Sequence, residues 1–445
     1  MTNTLFKNVT VVNEEQSFIS DVRVSRGRIE KISSHITHQE NDIIIEGNGR
    51  YLVPGMIDDQ VHFREPGMET KADIATESRA AAAGGITSYM DMPNSNPTTT
   101  TLTALENKYA LAATKSYINY AFYLGATNDN IDEIRRLDKN QTCGIKIFMG
   151  ASTGNMLVDR IATLESIFSD APTLVATHCE DTPTIIKNTE AAKARFGEDI
   201  PVQQHPIIRS EEACYLSSSL AVDLAKRNGT NLHVLHISTK KELELFAPGN
   251  IEGKQITAEA CVHFLHFCDE DYATKGSLIK CNPAIKSAKD RDGIIAALNN
   301  GQIDIIATDH APHLSSEKAL PYMQSPSGLP LVQRAMQIGV DLVKNNQLTI
   351  EKLVSLTSHN PAIRYQIKER GFIREGYHAD LVLLDLDTPE IDTPETVLYK
   401  CGWSPFDGHE FKSRVAGTWV NGVHLWDGES LINTDNIGQR LEYLR

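Results

Sequence analysis

Six polar side chains lie at or near the ends of short apolar runs: His62 in MIDDQVHF, Asp91 in GITSYMDM, Lys146 in CGIKIFM, His178 in TLVATHC, His236 in LHVLHIS and Asp309 in IDIIATDH. Neutral imidazoles suit zinc, and an Asp carboxylate both ligates and takes protons, so His62, His178, His236 and Asp309 read as a metal cage. Lys146 is the odd member, because a cation repels an ammonium. It fits if burial lowers its pKa enough for carbon dioxide to add, giving an anionic carbamate whose two oxygens bridge two metals. A single His at a strand end is more often structural, and Lys146 alone reads equally well as a cation at the mouth of a barrel. The metal reading rests on five such residues coinciding.

The elements that must bring them together are legible in the same stretch. Those runs, with INYAFYLGA and QITAEACVHF, make about eight, and helical segments separate them. Apolar runs alternating with helices indicate a parallel sheet, and eight is the number that closes a barrel. In a barrel the C-terminal strand ends converge on one face, so residues scattered in sequence become neighbours. KADIATESRAAAAGG stops on Gly84-Gly85, and RSEEACYLSSSLAVDLAKRNG opens on a capping Ser210 and ends at Gly229. Residues 1–53 read as short strands and turns, and 376–445 resume that texture, with Asn421-Gly422 as a hairpin turn. The expected architecture is α/β: a TIM-type (β/α)8 barrel over 54–375 and a small β-sandwich domain formed by both termini.

At 445 residues, 41% hydrophobic and 23% charged, the chain has material for one large core and a satellite. A formal net charge of −15 argues against nucleic acid or an anionic membrane as partner and leaves a small-molecule substrate. The N-terminus has no charged-then-apolar signal segment, and no apolar run approaches the roughly 20 residues of a bilayer span. Seven scattered Cys without a C-x-x-C pair suit a reduced, cytoplasmic protein.

Other signals carry less. CVHFLHFC looks like a zinc knuckle, but a strand running into a polar turn points alternate residues apart. Cys179 lacks the base and orienting partner of a nucleophile. GASTGNMLVD has no P-loop pattern and reads as a loop above the barrel mouth. His205-Pro206 reads as a turn, and Asp91 as an anchor for the MPN loop.

MIDDQVHFREPG, DMPNSNPTTT, GIKIFMG, ATHCED, HVLHISTK, NPAIK and IIATDHAPH occur in an order and spacing that resembles dihydroorotases, within the amidohydrolase superfamily of metal-dependent cyclic-amide hydrolases. The likeness runs from about residue 50 to 330. It implies reversible cyclisation of N-carbamoyl-L-aspartate to dihydroorotate in pyrimidine biosynthesis, with zinc held by His62, carboxylated Lys146, His178, His236 and Asp309. Asp309 is then also the catalytic proton carrier, and Arg64, Asn94, Asn282, His313 and the backbone at Gly328 hold the substrate.

Three positions depart from the family pattern: Lys286 stands where Arg is common, Phe264 follows His263 where a second His often stands, and Gln60 replaces the first His of the H-x-H strand. An amide oxygen binds zinc more weakly than imidazole. One zinc is therefore expected to be firm, at His178, His236 and Lys146, and a second weaker, shifted or absent, beside Gln60, His62 and Asp309. Two rivals share these motifs: another cyclic-amide hydrolase (allantoinase or hydantoinase), and a non-catalytic partner subunit of another pyrimidine enzyme. The second should have lost several ligands together. A homo-oligomer is compatible with all three.

Overall fold

The computed structural model describes residues 3–150, 156–433 and 435–445. Its centre is a ring of parallel strands: Met56–Val61, Ile86–Asp91, Asn119–Phe122 continued by Leu124–Gly125, Ile145–Phe148, Val175–His178, Leu232–Val234, Ile256–Cys261 and Ile305–Ala307. A parallel bridge between Val61 and His310 joins the last strand to the first, reinforced by the His62 N–H donating to the His310 carbonyl at 2.7 Å. All eight expected runs supply these strands. Most of their residues are buried, because helices cover the outside and side chains fill the inside, which is why they read as continuous apolar runs.

The crossover helices start and stop where their caps dictate. Asp73 caps Ile74–Ala83 through a reciprocal pair with Thr76, and the helix ends at Gly84. Gly84 is required by close approach, since a Cβ there would sit 2.0 Å from the Val332 carbonyl oxygen. Ser210 caps Glu211–Asn228, and Gly229 terminates it at φ 71°. CVHFLHFC differs from expectation: its strand ends at Cys261 and a short helix, Val262–His266, follows.

Both termini build one eight-stranded sheet. Its first strand, Asn3–Asn13, pairs in parallel with Asp42–Glu46 over its first half and with Tyr51–Pro54 over its second. That split, with a register shift between Phe6 and Val9, folds the sheet over an apolar interior where Phe6 meets Trp419 edge-on, ring centres 4.8 Å apart. The hairpin at Asn421-Gly422 has φ values of 51° and 76°, as a type I′ turn requires. The last residues leave this domain and pack on the barrel. The Tyr120 N–H donates to the Gln439 carbonyl at 3.0 Å, and Arg445 donates to the carbonyls of Thr142 and Tyr365.

All seven cysteines are free and buried. Among the described residues no helix is long and apolar enough to cross a membrane.

Candidate active site

The C-terminal strand ends open into a cleft of about 60 Å³. His62, Lys146, His178, His236 and Asp309 line it together with Gln60, and Arg64, Asn94, Asn282, His313 and Gly328 complete its wall. Every residue singled out above for metal or substrate is thus in one place. A larger cavity, about 580 Å³, lies at the opposite end between barrel and β domain and contains none of them.

The chain is strained where it turns out of the strands. Arg64, His236 and Asp309 adopt left-handed φ values of 68°, 42° and 51°. A non-glycine residue held there costs on the order of 1–3 kcal/mol, and such strain concentrates at functional positions.

On one side of the cleft, His178 Nδ1 and His236 Nε2 lie 2.9 Å apart. Two nitrogens bound tetrahedrally at 2.0–2.1 Å from a zinc would stand about 3.3 Å apart, so a small adjustment fits them to one ion. Burial lowers both imidazole pKa values, which keeps them neutral with a lone pair to give. Lys146 is 1% exposed, and burial pushes its ammonium down to about 8. The neutral amine, more available at that pKa, is the form that adds to carbon dioxide and then loses a proton to give a carbamate. These residues fit a divalent ion.

The other side is arranged differently. Asp309 Oδ1 accepts from Gln60 Nε2 at 3.0 Å and lies 3.1 Å from His62 Nε2. His62 Nδ1 sits 2.8 Å from Asn94 Oδ1, and the Gln60 amide oxygen faces the Cys261 thiol at 3.7 Å. Here the would-be ligands satisfy one another.

Arg64 has a different environment. It is buried, its Nε donates to the Pro312 carbonyl at 3.1 Å, and its Nη2 lies 3.0 Å from His313 Nε2. Among the described residues no carboxylate lies within ion-pair distance of it, and burial pushes it down to about 10. Asn282 Oδ1 is buried, with no hydrogen-bond partner among the described residues. At Gly328 (φ 144°) both backbone groups are engaged: the N–H donates to the Lys280 carbonyl and the carbonyl accepts from Lys318. Gly328 therefore shapes the wall by lacking a side chain, since a Cβ would stand 2.3 Å from the Ala311 carbonyl oxygen.

Asp91 ties two of these segments together. It accepts from the Phe63 N–H at 2.9 Å and pairs at 2.6 Å with Lys108, whose Nζ also donates to the Met92 carbonyl. Burial pushes the Cys179 thiol up to about 11 and the His263 imidazole down to about 4, leaving both neutral near pH 7. His205 stays a structural residue, with Nε2 2.7 Å from the Cys281 carbonyl and Nδ1 2.8 Å from Tyr322 Oη.

Two supports went unrecognised in the sequence. Glu180 sits 3.0 Å from His178 Nε2 and pairs with Arg209. Burial alone would raise its pKa, but Arg209 and His178 outweigh it and hold the carboxyl at about 2. A carboxylate on the far nitrogen fixes the tautomer and direction of a metal-binding His. The signal was present in HCED, an acid two residues beyond the His. The other support is a fully buried group one layer deeper. His233 Nε2 lies 3.1 Å from Asp59 and 3.5 Å from Glu259, and Glu259 accepts the His236 N–H at 3.1 Å. Burial opposes charge on His233, yet the two acids raise it to about 8. The ligand atoms of these three side chains are also close enough together to hold a cation.

Residues 51–425 match the model of the amidohydrolase family. The chain is 32% identical to a dihydroorotase from Halobacterium salinarum over 93% of this chain and 94% of that one. It is 31% identical to a dihydroorotase from Bacillus cytotoxicus over 97% and 100%. Among solved structures, an L-hydantoinase (dihydropyrimidinase) from Arthrobacter aurescens superposes with a TM-score of 0.93 at 25% identity, over 99% of this chain and 100% of that one. A dihydropyrimidinase from Brevibacillus agri superposes at 0.90 with 24% identity, over the full length of both.

Proposed function

Because the chain belongs to the amidohydrolase family and is a hydrolase acting on cyclic amides, we propose that it is a zinc-dependent dihydroorotase of pyrimidine biosynthesis. It would interconvert N-carbamoyl-L-aspartate and dihydroorotate. The observation that carries this reading is Arg64, a buried guanidinium at the cleft with no carboxylate within ion-pair distance among the described residues. A buried cation without a counter-ion is costly, and a substrate carboxylate supplies one; the planar guanidinium fork suits that geometry.

His178, His236 and a carboxylated Lys146 would hold one zinc firmly; a second, beside Gln60, His62 and Asp309, would be weak or absent. Bound there, the ion would lower the pKa of a water and would polarise the ring carbonyl. Asp309 takes the proton of the attacking water and delivers it to the departing ring nitrogen. His62 and Gln60, both at Asp309 Oδ1, hold that carboxylate in line. Arg64, with His313 beside it, binds the substrate carboxylate, and Asn94 and Asn282 take the polar edge of the ring. The strained φ of Asp309 and Arg64 fixes both directions before substrate arrives.

Residues 54–375 would form the catalytic unit, 1–53 with 376–445 the small domain, in a cytoplasmic protein. Self-association or a complex with another pyrimidine enzyme fits the same reading. A hydantoinase is the second reading, favoured by the 0.93 superposition on one. The test assays ring opening of dihydroorotate, hydantoin, dihydrouracil and allantoin, with metal analysis of the same preparation. Turnover of dihydroorotate alone is expected. Preference for an uncharged ring overturns the assignment, and metal-free protein that zinc cannot activate favours a non-catalytic subunit.

A further inference from the structure

Two lysines behind the cleft wall sit in surroundings unusual for ammonium groups. Lys318 ends the short helix Ser315–Lys318, is 2% exposed, and donates from Nζ to the carbonyls of Lys280, Pro326 and Gly328, each at 3.0 Å. Lys280 Nζ donates to the carbonyls of Tyr322 and Ser325, both at 2.6 Å, and lies 4.4 Å from the centre of the Tyr322 ring. Among the described residues neither is within ion-pair distance of a carboxylate.

Burying an ammonium without a counter-ion is expensive, so its retention calls for something an apolar side chain cannot provide. Three donors on one nitrogen satisfy three carbonyls, and those carbonyls belong to two segments of the cleft wall. One runs through Lys280 to Asn282, and the other contains Ser327 and Gly328. The segments also meet directly through the Gly328 N–H and the Lys280 carbonyl at 2.9 Å, and His313 reaches the Ser327 carbonyl at 3.1 Å. The second consequence is electrostatic: Lys280, Lys318 and Arg64 gather three basic groups on one side of the cleft, and among the described residues no acid is within ion-pair distance of them.

We propose that Lys318, with Lys280, is a positioning and specificity-determining residue. It locks the 280–282 and 326–328 segments into one wall and adds unpaired positive charge that selects a ring bearing a carboxylate over an uncharged ring. The specificity half rests on the dihydroorotase reading above. The positioning half does not.

The charged and titratable groups facing Lys318 are Lys280 and Cys281 from one segment, Arg64 from the turn after the first strand, and His313 ahead of its own helix. Burial, with Lys280 and Arg64 adding to it, brings Lys318 down to about 7. A bound anion acts in the opposite sense, so an anionic substrate binds with proton uptake. KM of the wild type should then rise as pH rises through about 7.

In Lys318→Met, KM for dihydroorotate is expected to rise roughly tenfold, through the loosened wall and the lost charge behind it, with kcat little changed. The rise of KM with pH should disappear. Orotate should lose affinity as a competitive ligand, and uracil, its uncharged counterpart, should not. Hydrogen exchange reads the clamp without activity: peptides covering 276–284 and 320–330 should exchange faster in the variant, the rest of the barrel unchanged. Unaltered KM and unaltered exchange overturn the proposal, as does a loss confined to kcat. Equal loss of orotate and uracil overturns the specificity half. If Lys318→Met does not fold, Lys280→Met carries the same expectations. Wild type inactive on dihydroorotate would overturn the functional reading, while exchange would still decide the clamp.

Discussion

The two sides of the cleft are built from similar residues, each side hydrogen-bonded within itself, and differ in the groups they bring together. His178 and His236 converge on one point with neutral, buried nitrogens and the Lys146 amine close by, and Glu180 steadies His178 from behind. Across the cleft, Gln60, His62 and Asp309 close a hydrogen-bonded chain among themselves. The difference follows from one side chain. Imidazole offers a lone pair to an ion, whereas the Gln60 amide presents a donor to Asp309 and turns its oxygen to Cys261. On the proposed reading, Gln60 would thus turn half of a two-ion cage into a holder for the Asp309 carboxylate.

That contrast can be broken at several points. The largest effect is expected from Asp309→Asn, which removes the proposed proton carrier: kcat should fall on the order of 10²–10⁴-fold, with metal at His178 and His236 expected to be retained. Loss of that metal in the variant would mean the two sides are one site. Glu180→Gln acts on the other side and should weaken metal affinity about 10–100-fold, as removing a carboxylate behind a ligating His does, measured by competition with a chelator.

Glu180 also has a pH signature. Its folded pKa of about 2 lies below the reference value of 4.5, so its contribution to stability is full above about 4.5 and is lost as pH falls toward 2. An acid-unfolding curve of Glu180→Gln should lack that component. Arg64→Lys should raise KM roughly tenfold and leave metal content alone, because an ammonium cannot reproduce the two-pronged contact. The smallest effect on rate belongs to Gln60→His, which should raise metal stoichiometry from one toward two. Two equally tight ions in the unaltered protein would contradict the whole comparison.

Much of this is legible in the sequence. Eight apolar runs located the strands because parallel strands are buried on both faces, and caps such as Asp73, Ser210 and Gly229 located helix ends because they satisfy groups a helix leaves open. Polar residues at strand ends located the cleft because barrel topology forces those ends together. The Val262–His266 helix was misread, since a short apolar stretch does not distinguish strand from helix. HCED places an acid two residues beyond His178, but what holds Glu180 charged there, Arg209, lies 29 positions away and leaves no local trace.

The sequence by itself determined the fold class, the strand ends and the identity of the side chains around the cleft, because periodicity and capping are local and the barrel turns order along the chain into position around a ring. Only the tertiary structure decided how those side chains are occupied: that Gln60 and His62 share Asp309, that Arg64 has no counter-ion among the described residues, and that Lys318 grips three carbonyls. Each of those facts depends on a distance and a direction between residues remote in the chain. Hydrogen bonds and desolvation are decided at that scale, where a few tenths of an ångström separate a ligand from a partner.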